Sequence, residues 1–180
     1  MHLYITSYCG HNCPLCCNKL YDIKEIPVPT VEELSTINTL CITGGEPFSI
    51  RFDLNFWVKK IKQQYRNIKQ VYVYTSGGAL YFYRGGDRVD NIDGITFSPK
   101  DFNDWYYLIP ILKNNYGDKL GNDIRDMKSN RLVVFKEQMN NYEYNKALFD
   151  ELGIKCIYRI WDKEFKTPEN EIFRRLPILF

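Results

Sequence analysis

Six short apolar runs constrain the fold of this 180-residue chain more than any other sequence feature. Each run is rich in branched and aromatic residues, which is typical of a strand buried on both faces. The runs are LYITSY (3–8), LCIT (40–43), VYVYTS (71–76), GITFS (94–98), LVVFK (132–136) and KCIYRIW (155–161).

Helical patterns separate several of these runs. Helix starts are predicted at Thr30 with Glu33 (a capping box), Asp53, Asp101 and Thr167 with Pro168, and a helix end is predicted at Gly153. Pro110 is expected either to end or to kink the helix that begins at Asp101. Such alternation predicts parallel strands joined by right-handed crossovers. Six strands are too few for a closed eight-unit barrel, which takes roughly 250 residues. We therefore expect an α/β fold, an open partial (β/α)6 barrel with parallel strands, as a single domain over residues 1–180.

Two segments fall outside this scheme. Residues 77–93 carry four glycines and predict a loop near the site, where Tyr81, Phe82 and Tyr83 either stack on a planar substrate or pack locally. Residues 116–130 are polar, and we expect them to be exposed.

Composition limits the partners and the compartment. The net charge of +2 gives no electrostatic footprint for nucleic acid or a membrane surface. No apolar run approaches the roughly 20 residues of a membrane span, and the first ten residues lack the pattern of a signal peptide. We expect a cytoplasmic protein, in which reduced thiols serve metal binding or redox chemistry rather than disulfides.

Four of the six cysteines lie within residues 8–17. Cys9, Cys13 and Cys16 have the spacing C-x3-C-x2-C at the end of the first predicted strand. A zinc site usually has four ligands, often in two pairs, whereas Cys41 and Cys156 lie singly in predicted strands. Three thiolates on one loop suit three corners of a [4Fe–4S] cluster. The fourth iron then stays open to a substrate or cofactor.

The other cysteines and both histidines are interpreted differently. Cys17 follows the third cysteine directly, and adjacent side chains seldom reach two corners of one cluster, so its role stays open. Cys41 and Cys156 are expected to be small buried hydrophobes. His2 and His11 are expected to be solvated loop residues rather than ligands.

A second motif, TGGEP, occupies residues 43–47 after the second strand. It is either an ordinary turn or a ligand site. Gly44 and Gly45 would let a ligand approach the backbone closely. Their carbonyls, with Glu46, would accept hydrogen bonds from a protonated amine.

Together the two motifs resemble those of the radical S-adenosylmethionine superfamily, and the resemblance extends over about residues 3–160 in strand order. It implies that Cys9, Cys13 and Cys16 hold a [4Fe–4S] cluster, that Leu15 packs near the adenine, and that Gly44, Gly45 and Glu46 receive the methionine amino group. It also implies reductive cleavage of S-adenosyl-L-methionine to a 5'-deoxyadenosyl radical, which takes hydrogen from a substrate.

Two further strand ends fit this interpretation. Thr75 and Ser76 offer hydroxyls to the cofactor after the third strand. After the fourth, Ser98 would bond the ribose or carboxylate, and Lys100 would pair with the carboxylate. The alternative, purely structural interpretations are an ordinary turn at TSGG and a helix start at SPKD.

The reaction within the superfamily stays open. TGGEP, TSG and SPK resemble the carboxy-deazaguanine synthases, which predicts a purine-like or nucleotide-derived small substrate. Cys17 and Asn18 stand where that branch has an aspartate–threonine pair that helps to hold magnesium, so a magnesium requirement is open. CPLCCNK is similar to the loop of glycyl-radical activases, which usually carry aspartate in place of Glu46. The sequence is also compatible with a peptide-modifying radical enzyme and with a non-catalytic metal-binding module.

Partners follow from the fold and the chemistry. An open barrel leaves two strand edges, which the C-terminal segment, a second copy of the chain or a large substrate would cover. We expect an electron donor such as flavodoxin or ferredoxin, and a homodimer is one option. Among Arg84, Arg88, Arg125 and Arg159, Arg159 stands out because a charge within a strand needs a partner or an opening.

Overall fold

Seven parallel strands form one sheet in this computed structural model, which describes all residues except 12, 14–15, 17–18, 20–21, 51, 84–87, 116, 118, 128, 161–170 and 178–180. The strands are β1 (His2–Tyr4), β2 (Thr39–Thr43), β3 (Gln70–Thr75), β4 (Gly94–Phe97), β5 (Arg131–Phe135), β6 (Lys155–Arg159) and β7 (Phe173–Arg175). Their order across the sheet is β6-β5-β4-β3-β2-β1-β7. All six strands predicted from the sequence are confirmed, with ends that differ by a few residues.

Five α-helices lie in the described part of the chain. They are α1 (Val31–Thr36), α2 (Leu54–Gln64), α3 (Phe102–Leu112), α4 (Lys119–Asp126) and α5 (Met139–Glu151). The predicted caps at Thr30, Asp53 and Asp101 are confirmed, since each side chain accepts a hydrogen bond from a backbone N–H of the first turn. Gly153 follows α5 with the positive φ of a C-terminal cap.

The helical predictions need two corrections. α3 continues to Leu112 with Pro110 inside it, so of the two expected effects of the proline, an end or a kink, the helix end was wrong. Residues 116–130 contain α4, in which Leu120 and Ile124 are buried, so the expectation of an exposed polar segment was wrong. The polar residues of α4 lie between these apolar positions, and the four-residue spacing puts both on one helix face. The helix predicted at Thr167 lies outside the described residues.

β7 is the strand that sequence analysis missed. It pairs in parallel with β1, and His2 lies opposite Phe173 in this pairing. The Arg174 guanidinium forms an ion pair with Glu33, the third residue of α1, and so fixes β7 to the helix. The C-terminal segment therefore covers the β1 edge of the sheet, which was one of the expected options.

The core lies on one face of the sheet. Alternate strand residues such as Leu40, Ile42 and Val73 pack in one cluster with Val58 of α2 and Leu108 of α3. Residues of the opposite phase, Cys41, Tyr72, Tyr74 and Arg159 among them, are half-buried or exposed.

The expectation that every strand is buried on both faces therefore holds only in part. All four residues of β4 are buried, but β2, β3 and β6 alternate or are exposed. The reason is that the core cluster draws on α2–α5 with one phase of the strand residues only. None of the described helices combines the length and apolarity that crossing a bilayer would require.

Candidate active site

A cavity of about 300 Å³ opens at the carboxyl ends of the strands. Six consecutive strands contribute to its lining: β2 to β6 through residues at or near their ends, and β1 through the longer segment that follows it and carries the cysteines. The lining comprises Cys9, His11, Cys13, Cys16, Thr43, Gly44, Gly45, Glu46, Tyr74, Thr75, Ser76, Ser98, Lys100, Phe135, Arg159 and Ile160. Parallel sheets place their ligands at this end. The residues predicted to hold the cluster or the cofactor all line this cavity where the structure describes them, whereas Leu15 and Cys17 lie outside the described residues.

The two glycines of TGGEP allow close backbone contact with the segment that leads to the cysteines. The Gly45 N–H donates to Thr6 O over 2.6 Å, and the Glu46 N–H donates to Tyr8 O over 2.7 Å. A Cβ at Gly45 would stand 2.0 Å from Tyr8 O, and one at Gly44 would stand 2.5 Å from Thr6 O. We expected the glycines to admit a ligand. The group that approaches the two glycines from the β1 side is the chain's own backbone. The glycines thus determine where the loop that carries Cys9, Cys13 and Cys16 (the cysteine loop) begins.

The Glu46 carboxylate is buried, with 3% of the residue exposed, and it connects two strand ends. Oε1 accepts hydrogen bonds from Thr75 Oγ1 (2.7 Å) and from the Phe48 N–H (3.3 Å), and Oε2 accepts one from the Ser76 N–H (2.8 Å). Burial raises the pKa of the carboxyl, and these hydrogen bonds oppose the shift.

The Ser76 hydroxyl is the unsatisfied polar group of the cavity. It lies near enough to Glu46 to lower the pKa of the carboxyl. Its oxygen is nevertheless buried and has no partner in hydrogen-bond geometry within the described chain. A buried hydroxyl without a partner is costly, so a ligand that bonds it would gain affinity.

Three cysteines from one loop face the same cavity. Burial raises the pKa of the Cys9 thiol, and the charges of Glu46, Cys16 and Cys13 raise it further. Burial also raises the pKa of Cys13, whereas the positive charge of Lys100 lowers it. Thiolates are the form of cysteine that binds metals, so metal binding here would release protons. The positive charge of Lys100 would favour the thiolate form of Cys13.

His11 connects the cysteine loop to α3. Its Nε2 lies 3.1 Å from Asp104 Oδ1, and its Nδ1 lies 3.6 Å from Asp101 Oδ2. The hydrogen bond to Asp104 raises the pKa of the imidazole. Only 20% of the side chain is exposed, so the expectation of a solvated His11 was wrong. Because Asp104 comes from the first turn of α3, this contact became visible only in the folded chain.

Lys100 and Ser98 form a pair in the cavity. Lys100 Nζ donates to Ser98 Oγ over 2.6 Å and lies 4.3 Å from the centre of the Phe135 ring. The Ser98 N–H donates to Thr75 O, which joins the ends of β3 and β4. The side chain of Lys100 is thus held between the cysteine loop and the aromatic part of the lining.

Several residues considered for substrate binding lie away from the cavity. Tyr81 and Phe82 pack against Tyr107, and Tyr83 is buried, which favours local packing over substrate stacking. Arg88 pairs with Asp123, and Arg125 bonds Leu112 O, while Arg84 lies outside the described residues.

The remaining histidine and cysteines differ from expectation. His2 pairs with Glu171 and is partly buried rather than solvated. Cys41 and Cys156 are half-buried rather than fully buried, and burial raises the pKa of each thiol.

Sequence analysis assigned no site role to the lining residues Tyr74, Phe135 and Ile160, and it expected His11 to be a solvated loop residue. Tyr74 and Phe135 lie in strands, and the register places Phe135 opposite Arg159. Strand alternation, once one phase is known to face the core, was the signal that would have found Tyr74 and Phe135.

Comparisons with known proteins give no family assignment for the chain. It matches no protein-family model, and no curated protein matches it. The chemistry of the cavity is therefore argued from its own residues.

Proposed function

We propose that this chain is a radical S-adenosylmethionine enzyme with a small-molecule substrate, first of all a purine-like or nucleotide-derived one. The observation that most supports this proposal is that Cys9, Cys13 and Cys16 line the same cavity as Glu46. The thiols would hold a [4Fe–4S] cluster, and the glutamate belongs to the turn expected to bind the cofactor's amine. Two motifs that are separate in the sequence thus face a common space.

The donor set fits a cluster better than a single ion. Ligands of one ion crowd around it, whereas each thiolate of a cubane binds a different iron. Within the described residues, only His11, Asp101 and Asp104 bring three ligand atoms within 4.8 Å of one another. Asp101 and Asp104 accept hydrogen bonds from the backbone N–H groups of Asp104 and Lys100, and His11 bonds the Asp104 carboxylate, so this group already has a structural role.

The strand order supports the open partial (β/α)6 barrel. Strands β1 to β6 follow one another across the sheet without reversal. Right-handed crossovers in one direction put every connection on the same face. A doubly wound sheet instead reverses its order and carries helices on both faces. The one-sided core agrees with the barrel, and β7 extends the sheet at β1.

Different residues of the cavity would bind the cluster and the separate polar groups of the cofactor. Bound to the three thiolates, the cluster with S-adenosylmethionine would supply one-electron cleavage of a sulfur–carbon bond and a carbon radical for hydrogen abstraction. A carboxylate has about four acceptor positions. Three of those of Glu46 are occupied by described donors, which leaves one on Oε2 for an ammonium group. Lys100 would pair with the carboxylate of the cofactor, and the Ser76 hydroxyl would bond one of its polar groups.

Anaerobic purification tests this function. The protein should be brown with about four irons per chain, and dithionite with S-adenosylmethionine should yield deoxyadenosine. Cys13→Ala should lose both properties. Cys41→Ala is the matched control and should keep them, because Cys41 does not line the cavity. A colourless, zinc-loaded protein would instead favour the non-catalytic metal-binding module.

A further inference from the structure

We infer that the substrate carries an anionic group, a carboxylate or a phosphate, which Arg159 binds, and that its body is aromatic or apolar. This inference rests on the proposed function, because it names the substrate class of the same cavity. Three features support it: the position of Arg159, the partners of the other charged groups and the neighbouring rings.

Arg159 stands at the far side of the cavity from the cysteines. It is the last residue of β6, five strands away from β1, after which the cysteine loop begins. Its partner in the parallel register is Phe135, and both residues line the cavity. The Arg159 side chain is exposed rather than packed in the core, so its charge is accessible to a ligand.

The other charged groups that line the cavity have other roles or partners. Glu46 is itself an anion, His11 bonds Asp104, and Lys100, which bonds Ser98, is assigned to the carboxylate of the cofactor. Within the part of the chain that the structure describes, the Arg159 side chain makes no hydrogen bond or ion pair. A guanidinium presents a planar fork of donors that matches carboxylate and phosphate oxygens. Arg159 is therefore the group of this cavity best suited to bind an external anion.

Besides Lys100, which lies over the Phe135 ring, the lining near Arg159 is aromatic or apolar. Tyr74, Phe135 and Ile160 contribute rings and an alkyl chain to the cavity. Tyr74 also lies within electrostatic range of both Arg131 and Arg159, since the two positive charges lower the pKa of its hydroxyl against the dominant effect of burial. An anion bound at Arg159 would thus place an aromatic or apolar body beside these side chains.

A titration of the full-length chain with small probes tests the site. Benzoate presents a carboxylate, phenyl phosphate presents a phosphate, and benzamide is the neutral control. Chemical-shift changes in NMR spectra report binding even when it is weak. We expect at least one anion to bind more tightly than benzamide, and the better of the two anions identifies the group. Arg159→Gln should weaken its binding by about 10- to 100-fold.

Arg131→Gln is the matched control. Arg131 is exposed at the start of β5, on the same face of the sheet, and it does not line the cavity. This variant should bind the anions as the unchanged protein does. The inference is overturned if neither anion binds, if benzamide binds equally well, or if Arg159→Gln keeps full affinity. Thermal unfolding of the Arg159→Gln protein identifies any loss that is caused by misfolding.

The outcome can be separated from that of the proposed function. A brown protein that cleaves S-adenosylmethionine but binds neither anion overturns this inference alone. A protein that assembles no cluster but loses anion binding in Arg159→Gln keeps the anion site and overturns the proposed function.

Discussion

Thr75 Oγ1 donates a 2.7 Å hydrogen bond to Glu46 Oε1 and thereby joins the end of β3 to the turn after β2 inside the cavity. Glu46 is thus a structural connector as well as the expected acceptor of the cofactor's amine. The two roles are compatible, because the same hydrogen bonds that fix the carboxylate orient it for a ligand. They also mean that changes at Glu46 affect both stability and binding.

Glu46→Gln should lower the free energy of unfolding by about 1–3 kcal/mol. One carboxylate oxygen becomes an NH₂ group, which faces a hydroxyl or N–H donor instead of accepting from it. Chemical denaturation measures the loss, and calorimetry should show weaker binding of S-adenosylmethionine. Glu137→Gln, at an exposed position, is the control. Unchanged stability and affinity in Glu46→Gln would contradict both roles.

Gly45→Ala should destabilise the protein by at least about 2 kcal/mol. The added methyl group would stand 2.0 Å from Tyr8 O, so the cysteine loop would have to move away from the turn. Denaturant unfolding measures the stability, and iron content after reconstitution measures the site. Gly10→Ala is matched to it, because no heavy atom lies within 4 Å of a Cβ at Gly10. Equal behaviour of the two variants would show that the close approach is not required.

His11→Ala should release the cysteine loop from α3. In the metal-free protein, Cys9, Cys13 and Cys16 should then react several-fold faster with iodoacetamide, because opening of the loop exposes half-buried thiols. Mass spectrometry identifies which cysteines are labelled. His2→Ala removes a histidine that pairs with Glu171 outside the cavity, and it should leave these rates unchanged. Equal rates in both variants would show that His11 does not hold the loop.

Stability should fall between pH 10 and pH 12 through Tyr83. Burial raises the pKa of its hydroxyl from 10.0 to about 12, and the nearby Asp53 charge adds to the shift. The unfolded chain therefore loses this proton at a lower pH than the folded protein does. Folding then requires proton uptake, and stability declines as pH rises through this window, by about 1–2 kcal/mol.

Tyr83→Phe checks this pH dependence. At pH 8 the variant should be less stable by about 1 kcal/mol, because Tyr83 Oη accepts from the Asn55 N–H. At pH 11 the difference in free energy of unfolding between the two proteins should be smaller than at pH 8. Urea unfolding at both pH values measures this difference. A gap that stays constant would mean that Tyr83 does not titrate differently in the two states.

The local pattern of the sequence predicted much of the framework. The strand runs and the caps at Thr30, Asp53 and Asp101 depend on residues only a few positions apart, so they can be recognised without the fold. The same pattern predicted that Cys9 and Glu46 follow neighbouring parallel strands. Their meeting in one cavity follows from that parallel arrangement.

By itself, then, the sequence determined the six strands, the starts of α1, α2 and α3, the end of α5 and the positions of the two motifs after strand ends. Only the tertiary structure decided that β7 pairs with β1, that Tyr74 and Phe135 turn toward the cavity, and that His11 bonds Asp104. Strand pairing, the choice of buried face and contacts across 93 positions of chain depend on residues that are distant in sequence. Short-range periodicity carries no information about which of these distant groups will meet.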